Sequence, residues 1–146
     1  MKYLYPKRIV KTTGEFIGIE NLLRKKPLQI GLVEPYVTKC VKGYFILDFG
    51  TEISGGVRIL TYKQKAENKV RLRFGESISE ACAELGEKNA TNDHSVRDFN
   101  VELKDYSDMT FGQTGFRFLR IDFPQDEEIY IKSIVAAFSE RIYRFS

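Results

Sequence analysis

The stretch Val70-Arg-Leu-Arg-Phe74 alternates apolar and charged side chains without a break, and Phe99-Asn-Val-Glu-Leu103 does the same further along the chain. A period of two is the side-chain period of a β-strand, so each stretch places its apolar residues on one face and its polar residues on the other. Working outward, residues 28 to 33, 36 to 41, 44 to 49, 57 to 64, 116 to 123 and 129 to 138 carry similar strand composition. Turn signals fall at Gly43, Gly50, Gly55-Gly56, Asn68, Gly112 and Gly115. About eight short strands with such punctuation predict an all-β fold, an antiparallel jelly-roll-like β-sandwich. One short helix is expected at Ser77-Ile-Ser-Glu-Ala-Cys-Ala-Glu-Leu-Gly86, where Ser77 and Glu80 have the spacing of a capping box.

The 146 residues suffice for one core and one domain, residues 1–146. Eleven Phe and eight Tyr, with no Trp, favour a strand-rich aromatic core over an exposed stacking platform. A net charge of +3, spread along the chain, argues against a nucleic-acid protein. Cys40 and Cys82 have neither disulfide-framework nor zinc-site spacing and are expected to be buried small hydrophobes. Nothing in the sequence has the apolar length of a signal peptide or a membrane helix, so a soluble chain is expected, cytoplasmic as it stands, with an exported parent left open.

The densest polar run is Asn89-Ala-Thr-Asn-Asp-His-Ser-Val-Arg-Asp-Phe99, which holds the one histidine. Asn92, Asp93 and His94 offer planar donors and acceptors suited to sugar hydroxyls, although such residues equally bond their own loop backbone or a neighbouring domain. Arg97 and Asp98 are adjacent, so on a strand they point apart and each needs another partner; Glu76 or Asp48 would serve Arg97. With Glu76, which follows Gly75 at the end of a strand, these six residues, Glu76, Asn92, Asp93, His94, Arg97 and Asp98, form the candidate ligand-binding set. Arg117 and Arg120 are expected in ion pairs at sheet edges, the aromatics of their strand in the core, and Gly55-Gly56 at a turn or bulge.

Several segments together, Phe45-Ile-Leu-Asp-Phe-Gly50, Gly55-Gly-Val-Arg58, Arg71-Leu-Arg-Phe-Gly-Glu-Ser77, Ala90-Thr-Asn-Asp-His-Ser-Val-Arg-Asp-Phe99 and Gly115-Phe-Arg-Phe-Leu-Arg-Ile-Asp122, resemble the N-terminal β-sandwich region of bacterial α-L-rhamnosidases. The resemblance runs over residues 44–139. It implies a galactose-binding-domain-like sandwich that precedes a catalytic (α/α)6 barrel, whose carboxylates hydrolyse terminal L-rhamnose in that family. No catalytic position of the family maps onto this sequence. The resemblance therefore implies a non-catalytic accessory module that packs against or positions the barrel, or alternatively a carbohydrate-binding module for rhamnose-containing or plant-type glycans.

The residues alone point the same way. No pair of carboxylates is marked out for glycoside hydrolysis, one histidine is too few for a metal-dependent jelly-roll enzyme, and His94 has no Gly-x-Ser-x-Gly elbow to serve. No cofactor is expected; a structural calcium ion held by Asp48, Glu76, Asp93 and Asp98 is the one metal arrangement considered.

Overall fold

The computed structural model describes residues 1–31, 33–64, 68–82, 94–124 and 128–139, and of residues 94 and 95 the backbone alone. Seven strands run β1 Lys2–Leu4, β2 Arg8–Ile17, β3 Thr38–Thr61, β4 Asn68–Gly75, β5 Asp98–Leu103, β6 Asp108–Phe123 and β7 Ile129–Phe138. Two short helices follow β4, α1 Ile78–Cys82 and the single turn α2 His94–Arg97, and a 3-10 turn spans Ile19–Leu23. The pairings of β1 with β7, β2 with β3, β3 with β6, β4 with β5 and β4 with β6 are antiparallel, and β3 meets β7 in two stretches whose partner numbers fall as β3 advances, Thr38 to Cys40 opposite Ile131 to Ile129 and Gly55 to Leu60 opposite Phe138 to Ser133.

The long strands β3 and β6 build both layers of the sandwich. Their ladder is continuous up to Asp48, shifts register between Asp48 and Ile53, and shifts again between Gly55 and Val57. Such bulges bend a strand, so residues before the break belong to one layer and residues after it to the other. The first layer runs β2-β3-β6-β4-β5; the second is completed by β7 and β1. Alternate residues point inward: Phe45, Leu47 and Phe49 from β3, Val70, Leu72 and Phe74 from β4, Leu119, Ile121 and Phe123 from β6. They meet Val57, Ile59, Ile134 and Ala136 of the other layer. Phe74 lies 4.9 Å from Phe116 and 5.9 Å from Phe99, so the abundant aromatics are core packing.

Three expectations need correction. Strands expected over 36–41, 44–49 and 57–64 are one strand, β3, and the glycines read as turns at 43, 50, 112 and 115 lie within β3 or β6, while Gly55-Gly56, expected at a turn or bulge, sits at the register shift between Gly55 and Val57. Gly43 pairs with Gly14 of β2 at φ 101°, and a Cβ there would sit 1.9 Å from the Thr13 carbonyl oxygen. Glycine here permits close approach of two strands rather than a reversal. Residues 28–31 and 33 form no strand. Proline lacks a backbone donor, Pro27 and Pro35 flank the segment, and its carbonyls accept from side chains instead: Arg58 Nη2 donates to Leu28 at 3.3 Å, and Lys132 Nζ donates to Gln29. The third concerns Cys82, which is half-buried, whereas Cys40 is buried as expected and its thiol is pushed up by that burial.

The expected helix forms at α1. Ser77 Oγ accepts from the Glu80 N–H at 3.1 Å, and Ala81 packs on Ile46 and Phe118 on the outer side of the first layer. Among the described residues no helix is long and apolar enough to cross a membrane.

Candidate functional site

The outer face of the first layer follows directly from the alternation in β4. With Leu72 and Phe74 inward, Arg71 and Arg73 face out, and register sets Arg71 between Asp122 of β6 and Asn100 of β5, Arg73 between Arg120 and Asp98. Arg71 donates from Nε and Nη2 to the two oxygens of Asp98, each at 2.6 Å. Arg73 pairs with Asp122 at 3.0 Å, and Arg120 reaches the same carboxylate at 2.8 Å while its guanidinium lies 3.8 Å over the Tyr44 ring. Tyr44, Arg71, Arg73, Asn100, Asp122 and Pro124 line a groove of about 330 Å³ on this face.

A second cluster occupies the rim where β4 meets α1. Arg97 closes α2 and donates from Nη1 to Glu80, with Glu76 4.0 Å from its Nη2. Glu52, from the bend of β3, hydrogen bonds Glu76, and Gly115 leaves the space in which both carboxyls sit. Withdrawal from water, then the bond to Glu76 and its charge, push the Glu52 carboxyl up to about 7. Two carboxyls in contact hold one proton between them more readily than two charges.

Of the candidate set, the structure brings Glu76 and Arg97 together at the rim and places Asp98 at the start of β5, on the charged face with Arg71. Arg97 and Asp98 do not share a strand, because the helical turn ends between them. His94 opens that turn, while Asn92 and Asp93 lie outside the described residues. Asp48, the other partner considered for Arg97, is instead held by Arg8 Nε at 2.8 Å, Arg117 Nε at 2.9 Å and the Gly50 N–H at 2.7 Å. Those donors, Arg117 foremost, hold its carboxyl down at about 2. Of the carboxylates considered for calcium, Asp48, Glu76 and Asp98 stand in separate arginine clusters, and no group of three metal-ligating side chains occurs among the described residues.

Sequence reasoning missed Glu52, Glu80, Tyr44 and Asn100. Tyr44 and Asn100 were legible from strand alternation, since each is the outward member of a period-two run; Glu52 was not, because its position depends on the bend of β3.

Residues 38–139, well over half of the chain, match the sequence profile of the bacterial alpha-L-rhamnosidase concanavalin-like domain. The chain belongs to that family. A rhamnosidase from Klebsiella oxytoca with rhamnose bound shares its fold at a TM-score of 0.62 and 17% identity, over 92% of this chain and 28% of that one. The family 32 carbohydrate-binding module of Streptococcus pneumoniae EndoD aligns at 0.59 and 8% identity, over 94% of this chain and 100% of the module. The CBM32 of AlyQ in complex with 4,5-unsaturated mannuronic acid aligns at 0.57 and 14% identity, over 92% of this chain and 98% of that one. No curated protein sequence matches. At these identities the likeness is one of fold, and this rhamnosidase-type sandwich spans little more than a quarter of the enzyme it resembles.

Proposed function

We propose that this chain is the accessory, non-catalytic β-sandwich of an α-L-rhamnosidase-type glycoside hydrolase, and that it packs against and positions the catalytic (α/α)6 barrel. The family match over residues 38–139 carries the reading. The side chains support it: glycoside hydrolysis needs two carboxylates separated by roughly 5 to 10 Å across the scissile bond. Here Asp48, Asp98 and Asp122 are each engaged by arginine, and Glu52 and Glu76 are in direct hydrogen-bond contact, too close to flank a glycosidic oxygen. The chain alone is expected to release no nitrophenol from 4-nitrophenyl α-L-rhamnoside; turnover that Glu52→Gln or Glu76→Gln abolishes would overturn the reading.

A carbohydrate-binding module is the second reading, favoured by the groove beside Tyr44, Arg71 and Asn100. The sugar-binding modules that share the fold support it too. Its ligand would be a rhamnose-containing or plant-type glycan recognised by that groove and by the candidate residues Glu76, Asn92, Asp93, His94, Arg97 and Asp98. An NMR titration with L-rhamnose decides it: saturable shifts in that set, weakened by Asp93→Ala or His94→Ala, favour binding, and unshifted spectra at millimolar sugar favour packing alone.

A further inference from the structure

Residues that precede β3 fold across the second layer beside β7 and, with Lys132 from β7, close a cavity of about 290 Å³ lined by Arg24, Lys25, Lys26, Lys132, Glu34 and Tyr36. Four cations thus face one carboxylate. That carboxylate is already committed, because Glu34 Oε1 accepts from Lys132 Nζ at 3.0 Å and from the Gly31 N–H at 2.6 Å. Lys132 is buried and also donates to the Gln29 carbonyl. Lys26 spends its ammonium on the carbonyls of Asn21 at 2.9 Å, Tyr36 at 3.2 Å and Lys132. It therefore contributes charge to the cavity rather than donors.

Arg24 and Lys25, both exposed, supply the donors. The Arg24 guanidinium lies 4.0 Å over the Tyr36 ring, and a guanidinium stacked on a ring face keeps its N–H edge directed sideways, where it can grip an oxyanion with two parallel bonds. The unbalanced charge has a cost within the chain: burial first, and Lys132 second, lower the Lys26 ammonium to about 8. An anion in the cavity would offset that cost. The volume lies near the lower end of the range for small-molecule sites, roughly 300 Å³.

We infer that this cavity binds the oxyanion group of a small ligand, a carboxylate or a sulfate, gripped by Arg24 and Lys25 in the field of Lys26 and Lys132. The site lies on the opposite layer from the charged groove and does not depend on the proposed function.

The test is an NMR titration of the full chain with sodium sulfate and, separately, sodium galacturonate, with ionic strength held constant by chloride. Saturable shifts confined to residues 24–36 and 132 are expected at millimolar anion, together with a rise in the Lys26 ammonium pKa as the anion binds. Arg24→Ala/Lys25→Ala should weaken binding by about tenfold or more, and because both residues are exposed the remaining spectrum should be unchanged. Saturation by sulfate alone identifies a sulfate-type ligand, by galacturonate alone a carboxylate, and by both a general oxyanion site. Shifts that never saturate with either anion, or binding that the double variant leaves intact, would overturn the inference.

Discussion

Arg71 and Asp98 are joined by two hydrogen bonds of 2.6 Å that run diagonally across the β4–β5 ladder, with 27% and 12% of the two side chains exposed. β5 is an edge strand of its layer, so this two-point contact ties it laterally as well as through its backbone. Asp98→Ala should cost about 1–2 kcal/mol, and a double-mutant cycle with Arg71→Ala should show strong coupling. Additive losses in urea titrations would mean that the contact contributes nothing beyond its parts.

Asp48 supplies the acid limb of stability. Its carboxyl falls from an ordinary 3.8 to about 2 in the folded chain, so the folded state binds fewer protons there than the unfolded state. That stabilisation is complete above 3.8 and is lost as pH falls toward 2. Asp48→Ala should cost about 2–3 kcal/mol at neutral pH, less than the loss of a wholly buried pair, since Arg8 and Arg117 can return to water. Asp48→Asn should flatten the acid limb, and an unaltered midpoint-versus-pH curve for this variant would contradict the assignment.

Glu52 acts with the opposite sign. Between the ordinary 4.5 and about 7 the folded chain keeps a proton that the unfolded chain has released, so stability falls as pH rises through that window. Glu76 and Glu80 add to the repulsion, and Arg97 opposes it. Glu52→Gln should remove the fall and raise the melting temperature at pH 8; a variant that melts with the same pH profile as the parent chain would show that the two carboxyls do not share a proton.

At Gly43, alanine would need a left-handed backbone conformation and would press its Cβ against the Thr13 carbonyl. The substitution should cost about 1–3 kcal/mol. Because β2 pairs with β3 alone among the described strands, the damage should appear as faster amide exchange in Arg8–Ile17, with the amides of β4 and β5 still protected. Uniform acceleration throughout the sandwich would mean that β2 is not a separable edge.

The all-β class, the inward set Val70, Leu72 and Phe74, and the cap at Ser77 were all legible because each follows from local spacing. β2 was not, since Arg8-Ile-Val-Lys-Thr-Thr-Gly-Glu-Phe-Ile17 is a mostly exposed edge with little apolar alternation. The merging of three strands into β3 has no local signal for another reason: Gly43, Gly50 and Gly55 look the same in sequence whether they reverse a chain or sit within a continuous strand. At the site, the pairing of Arg97 with Glu76 could be foreseen from chemistry. Its stronger contact with Glu80 required knowing that α1 folds back beside α2, a tertiary fact with no local signature.

The most direct measurement of the central claim is to add this chain to a rhamnosidase catalytic barrel prepared without its own sandwich, following the barrel's melting temperature and its hydrolysis of 4-nitrophenyl α-L-rhamnoside. A saturable rise in the barrel's melting temperature and no hydrolysis by the chain alone are expected. Hydrolysis by the isolated chain, or a barrel whose melting is indifferent to it, would contradict an accessory packing role.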